Sequence, residues 1–134
     1  MSLPWKVVDQ FMTQDEGQLE LRQRGKRDFI ITLGTQVLMN SMAQRSEIAL
    51  GKLGAGPLNN HPAPRVLVGG LGMGITLRAV LDSLAKTAEI VVWELNPKIC
   101  QWCQGPLADL THGAALDPRV CVKIGDVVQG IGHA

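Results

Sequence analysis

The chain lacks three things: an excess of charge of either sign, a long apolar run, and more than a few cysteines. Its 134 residues carry 13 Lys and Arg against 12 Asp and Glu, for a net charge of +1. No basic field is available to draw in nucleic acid. No apolar run approaches the roughly 20 residues a membrane helix needs. Met1 to Gln10 also lacks the apolar core of a signal peptide. Nucleic acid and membrane are therefore not expected as partners, and the expected location is the cytoplasm. The three cysteines, Cys100, Cys103 and Cys121, are an odd number without a secretion signal, which argues against a disulfide framework. Cys100 and Cys103 form a C-x-x-C pair with no second pair to complete a zinc site. The pair falls inside a helix predicted from Pro97, so both read as packing residues, and no metal is expected. His61, His112 and His133 are scattered through loop-like or terminal sequence and read as solvated. With 46% hydrophobic and 19% charged residues, what remains is an ordinary folded chain of about one domain.

Against these absences, glycine is concentrated. Arg65-Val-Leu-Val-Gly-Gly-Leu-Gly-Met-Gly-Ile-Thr-Leu-Arg78 reads as a strand, a glycine turn and a helix start. Val66, Leu67 and Val68 form the short apolar run expected of a parallel strand covered on both faces. Gly69, Gly70, Gly72 and Gly74 follow at once. Glycine permits positive φ and lets a ligand approach the backbone. From Thr76 the pattern turns helical, with Leu77, Val80, Leu81 and Leu84 on one face. Such a helix start offers free N–H groups to an anionic or polar ligand. A dinucleotide fingerprint requires G-x-G-x-x-G, whose third glycine would fall at Ile75, and this counts against a nicotinamide dinucleotide. The spacing present is G-x-G-x-G: Gly70, Gly72, Gly74. Ile90 to Glu94 then reads as a second strand ending in an acid, placed where a carboxylate accepts both ribose hydroxyls of a nucleoside.

Elsewhere the pattern is coarser. Residues 17 to 40 read as β structure: Leu19 and Leu21 alternate with polar neighbours, Gly25-Lys26 is a turn, and Phe29 to Leu33 and Val37 to Met39 are strands. The Arg22, Arg24, Lys26 and Arg27 cluster reads as a solvated face. Ser41 with Gln44 forms a possible capping box for a helix carrying Ile48, Ala49, Leu50 and Leu53 and stopping at Gly54. Residues 57 to 64, with three prolines, read as a linker. The expected organisation is a small β-rich unit with one helix over 1–56, a linker over 57–64 and a nucleoside-binding domain over 65–134. Asn96 and Pro97 open a helix with Ile99, Trp102, Cys103 and Leu107 near one face, and Trp102 reads as core. Residues 111 to 118 are a loop. Val120 to Ile124 give a third strand, after which Asp126 either meets a ligand at the sheet's carboxyl edge or caps the next turn.

These motifs together resemble the spermidine synthase family and its spermidine-synthase-like relatives, which share the S-adenosylmethionine-dependent methyltransferase fold. The match runs from Val66-Leu67 through the glycines to Arg78, then Val92-Trp93-Glu94-Leu95-Asn96-Pro97, then Asp117-Pro118-Arg119-Val120 with Gly125-Asp126. The implied fold is α/β: an incomplete methyltransferase-like (Rossmann-like) parallel sheet preceded by a small N-terminal β-hairpin unit. The implied ligand is decarboxylated S-adenosylmethionine or S-adenosylmethionine, as substrate, and the implied chemistry is aminopropyl transfer to putrescine. Gly70, Gly72, Met73 and Gly74 would line the nucleoside, Glu94 would hold its ribose with Leu95 beside it, and Asp126 would accept from the adenine amino group. The departures fall on the polyamine side. Met73 stands where the family has an Asp, Arg45-Ser46 where a Tyr-His pair precedes the glutamate matching Glu47, and Gln36 lies two residues after Gly34 rather than three. The family's catalytic Asp follows a fourth strand, and this sequence stops at Ala134 before one. The chain alone is thus expected to be inactive. Two alternatives remain: a non-catalytic nucleoside-binding or self-assembling module, and a methyltransferase. Without the fourth strand, the strand at Val66 to Val68 is expected at an open edge, with apolar surface on Leu67 and Leu77 and self-association as a two-fold dimer.

Overall fold

The first forty residues are organised by alternation. In the computed structural model, which describes residues 3–132, they form a four-stranded antiparallel meander. Its strands are β1 (Lys6–Met12), β2 (Gln18–Arg24), β3 (Asp28–Leu33) and β4 (Gln36–Asn40). Leu21 lies opposite Ile31 across the β2–β3 ladder, and both are fully buried, with Leu19 and Phe29 beside them. This is period-2 patterning with one face inward. Glycines with positive φ make the turns at Gly17, Gly25 and Gly34. β1 departs from expectation, since sequence pattern starts the β structure only at residue 17. The strand is exposed almost throughout and is bulged between Val7 and Asp9, so it carries no alternating apolar signal. Its register comes from the backbone ladder to β2, and just before it the Arg24 guanidinium lies 4.5 Å from the Trp5 ring centroid.

Ser41 does not build a capping box. Its hydroxyl accepts from Phe29 N at 2.8 Å and donates to Arg27 O at 3.0 Å, closing the start of β3. Gln44 donates to the Ser41 carbonyl. Asn40 supplies the local acceptor, its Oδ1 taking Met42 N and Ala43 N.

The compact units divide after Gln44, ahead of the sequence-expected linker. The reason is helix α1 (Arg45–Ala55). It packs on α2 (Ile75–Ser83) of the second unit through small residues: a Cβ added at Gly51 would lie 2.6 Å from Ala79 Cβ and 2.7 Å from Thr76 O. Its Leu50 and Leu53 face outward. Residues 57–64 are well tied. A 3-10 turn covers Gly56–Leu58, His61 Nδ1 accepts from Ala63 N, and Thr87 donates to Pro62 O. His112 is exposed, at a left-handed φ of 52°; His133 lies outside the described residues.

The second unit is built on a parallel sheet in the order β5 (Arg65–Gly69), β6 (Glu89–Glu94), β7 (Val120–Ile124), with α2 and α3 (Pro97–Gln104) as the crossovers. On one face Val68 pairs with Val92 and Val66 with Ile90, and Val68, Ile90 and Val92 are buried with the apolar sides of α2 and α3. The other face carries Leu67, Val91 and Cys121, then Gly69, Trp93 and Lys123. There Leu67 is 41% exposed, so β5 is covered on one face rather than on two. Val127, the first residue of α4 (Val127–Gly132), reaches this face at Gly69. β5 pairs only with β6 among the described strands, as the expected open edge requires. Leu77 is not bared: it is 1% exposed, turned inward with Val80 and Leu81.

Arg119 closes the back of this unit. Its guanidinium pairs twofold with Asp117 and donates to the carbonyls of Leu81 and Leu84 at the end of α2. The hydrogen bond from Arg119 is the main reason the Asp117 carboxyl is held below its usual range.

Candidate functional site

The three parallel strands end along one edge, and the sequence-predicted site residues collect there. At β5 the ladder runs one residue past the strand, with Gly70 N donating to Trp93 O at 2.7 Å. The chain then turns through left-handed backbone at Gly70 (φ 90°), Gly72 (φ 56°) and Gly74 (φ 86°), a conformation that costs an L side chain about 1–2 kcal/mol. Gly74 N donates to Leu71 O, and Arg78 N to Gly74 O, so α2 grows directly from the turn. A Cβ on Gly74 would sit 3.3 Å from the methyl of Thr111. Thr111 is itself buried, its hydroxyl accepting from Ala114 N.

The turn is gripped by the acid that ends β6. Glu94 Oε1 accepts from Leu71 N at 2.9 Å, and Oε2 accepts from Asn96 N at 2.9 Å. Glu94 is 9% exposed. Asn96 caps α3 as predicted, its Oδ1 accepting from Lys98 N at 2.8 Å with Pro97 in the first turn. From inside α3, Cys103 donates its thiol to Gly72 O at 3.2 Å. Burial pushes the Cys103 thiol up to about 12, with Cys100 and Glu94 adding to the effect. Cys100 is raised by burial and then by Glu94. Trp102 is core, 2% exposed.

The structure thus brings Gly70, Gly72, Gly74 and Glu94 together and orients them differently. Gly70 is exposed and Gly72 half-buried, whereas Gly74 and Met73 are buried. The Met73 side chain belongs to the core, on the inner side of the turn. Leu95 is 73% exposed immediately beyond Glu94, an apolar surface at the sheet edge. At β7, Gly125 N donates to Glu94 O at 2.9 Å, which sets Asp126 just past the Glu94–Ile124 pair. Asp126 is exposed, and its Oδ1 accepts from Val128 N at 2.9 Å. It therefore caps α4, at the carboxyl edge of the sheet. The grip of Cys103 on the turn has no signature in sequence: its partner lies 31 residues away, and the helical pattern marks the position only as core.

An ionised carboxylate has about four acceptor positions. At Glu94 two of these are taken by the backbone N–H groups of Leu71 and Asn96. The exposed backbone of Gly70, with Gly72 half-buried behind it, leaves room for close approach. Leu95 offers an exposed apolar contact, and Asp126 carboxylate oxygens as acceptors beyond it.

No family model matches the chain, and no curated protein matches it in sequence. Solved structures do match. The crystal structure of spermidine synthase from Thermotoga maritima and that of spermidine synthase in complex with the transition-state analogue AdoDATO each superpose with a TM-score of 0.68 at 19% identity. In both cases 94% of this chain is covered and 43% of the other. The chain thus spans less than half the length of these proteins. Over that span it has the spermidine synthase fold: a small antiparallel sheet followed by an incomplete methyltransferase-like α/β unit.

Proposed function

We propose that this chain is the nucleoside-binding part of a spermidine-synthase-like transferase, taking decarboxylated S-adenosylmethionine or S-adenosylmethionine as its ligand. The observation that carries the reading is the bond from Leu71 N to Glu94 Oε1. It ties a glycine turn open at Gly70 to an acid at the end of the neighbouring strand, and so fixes both before a ligand arrives. In this reading the free acceptor positions of Glu94 take the ribose hydroxyls, Leu95 lies against the adenine, and Asp126 accepts from its amino group. Gly70 and Gly72 let the nucleoside approach the backbone, while Gly74 and Met73 shape the turn from within. The working place is the cytoplasm. The acceptor side is left weak: Met73 is core where the family has an acid for the cationic arm, and a dication needs acids or aromatic faces to offset its desolvation. By itself, then, the chain is proposed to bind without transferring.

The test is calorimetric titration of the chain with S-adenosylmethionine, its decarboxylated form and 5′-methylthioadenosine. Glu94→Gln retains a partial grip on the turn but loses the charge, and is expected to weaken binding by about 1.5–3 kcal/mol. Unchanged affinity in this variant overturns the ribose assignment. Absence of binding by all three ligands overturns the reading as a whole.

A self-assembling module is favoured by a separate observation. The free side of β5 and the exposed Leu67 present an open strand edge that templates pairing. A two-fold dimer joining β5 edges is expected by sedimentation at micromolar concentration. A monomer with rapidly exchanging Val66 to Val68 amides removes it.

A further inference from the structure

We propose that Cys103 is a positioning residue of the glycine turn: its thiol, donated to the Gly72 carbonyl, holds the turn in the conformation that receives a ligand. This rests on the nucleoside reading above only for the ligand; the hold on the turn is a property of the chain itself.

Two consecutive residues of the turn are gripped from the same side of the molecule. Leu71 N is held by Glu94 at 2.9 Å and Gly72 O by Cys103 at 3.2 Å. Gly72 sits in left-handed backbone, so its carbonyl turns inward toward α3 rather than out to water. A carbonyl directed inward without a donor is unfavourable, and Cys103, 2% exposed, supplies the donor. A thiol is a weak donor, but only its protonated form can fill this role. Burial, the neighbouring Cys100 and the Glu94 charge all keep it protonated. The two grips also belong to one continuous piece of chain. Glu94 takes Asn96 N with its second oxygen, and Asn96 caps α3, the helix that carries Cys103. A movement of α3 is therefore transmitted to the turn at both points. Cys103 meets the inner side of the turn, away from the exposed backbone of Gly70, so it acts on a ligand only through Gly72.

Three variants separate this role from mere packing. Cys103→Val keeps an apolar group of similar volume and removes the donor; Cys103→Ser is smaller but restores a donor; Cys103→Ala serves if Cys103→Val does not fold. Amide hydrogen exchange is read at Leu71, Met73 and Gly74. Cys103→Val is expected to speed exchange there by roughly fivefold to tenfold, the equivalent of one ordinary hydrogen bond, and Cys103→Ser to return it toward the parent despite its smaller volume. The affinity for S-adenosylmethionine follows the same order. The direct signature is the S–H stretching band of a Cys100→Ala, Cys121→Ala variant, in which Cys103 is the remaining thiol. Folding should move this band to lower frequency, as donation to a carbonyl requires. An unshifted band, or turn amides that exchange in Cys103→Val as in the parent, overturns the proposal. If the parent binds no nucleoside, the ligand reading fails, while the exchange and the S–H band still decide the role of Cys103.

Discussion

The two ends of the candidate site are built differently. At the β5–β6 end, the glycine turn is bonded to Trp93, Glu94 and Cys103 and backed by Thr111 and by α2 on α1. At the β7 end, Asp126 is exposed and bonded to the helix it caps. The first end is over-determined and exists before any ligand. At the second, Asp126 is held by the bond from Val128 N of its own helix. Under the nucleoside binding proposed above, the ribose would meet the rigid end and the base the less restrained one. Rigidity at the first end reduces the ordering that binding must supply.

If the glycine end is rigid because it is packed from behind, a change far from the ligand edge must weaken it. Gly51→Ala places a methyl against the α2 backbone and is expected to lower stability by about 3 kcal/mol, at the upper end for overpacking. Leu53→Ala, at a 77% exposed position on the outer side of the same helix, should change it by less than about 0.5 kcal/mol. Urea unfolding measures both, and equal losses would break the argument from packing.

Gly74→Ala tests the turn itself. Left-handed backbone and the 3.3 Å approach to Thr111 together predict a loss of about 2 kcal/mol. Adding Thr111→Ser, which removes the methyl, should recover the packing share and leave the backbone share. No recovery would assign the whole effect to φ.

Alkaline pH loosens the same end by another route. Burial holds the folded thiol of Cys103 up at about 12, against an ordinary 9.0. Between these values the folded chain holds a proton that the unfolded chain has released. Stability is therefore intact below pH 9 and falls as pH rises toward 12, by up to about 1.4 kcal/mol per unit. The raised Cys100 thiol acts in the same direction. Unfolding midpoints across this range should show the fall in the parent and a shallower one in Cys103→Ser.

The smallest effect belongs to the β7 end. Asp126→Ala removes a cap and should cost about 0.5–1 kcal/mol, confined to α4. Faster exchange at Val128 with an unchanged global midpoint is expected. A large global loss would show that the two ends are built alike.

What could be read from sequence was local. The strand, glycine turn, helix and terminal acid follow from neighbouring residues, and so does the Asn96-Pro97 helix start, which the structure reproduces with Lys98 N on Asn96. What could not be read is either exposed or non-local. β1 lacks an inward face, so period-2 analysis passes over it. Ser41 bonds to Phe29, 12 residues back, where local pattern offers a helix cap. The place of α1 depends on a glycine meeting another helix, although the leucines of α1 are its stronger local signal. Met73 follows the spacing of a ligand-facing residue, yet the left-handed glycines on either side turn it into the core.

Arg119 has a bearing on the order in which the molecule comes together. The last carbonyls of a helix lack partners within it, and at the end of α2 those of Leu81 and Leu84 are met by a guanidinium 38 and 35 positions further along the chain. A chain emerging N-terminal end first delivers the glycine turn and α2 well before this clasp exists. Until residue 119 arrives, the Leu84 carbonyl is left to water, and that of Leu81 keeps only the long bond from Leu84 N at 3.4 Å. The clasp then closes two βα units in one step, because Arg119 immediately precedes β7 and its backbone carbonyl already accepts from Ile90 N. The far end of α2 therefore settles together with the third strand, whereas the glycine turn at its start is held by residues 93 to 111, which leave the ribosome ahead of Arg119.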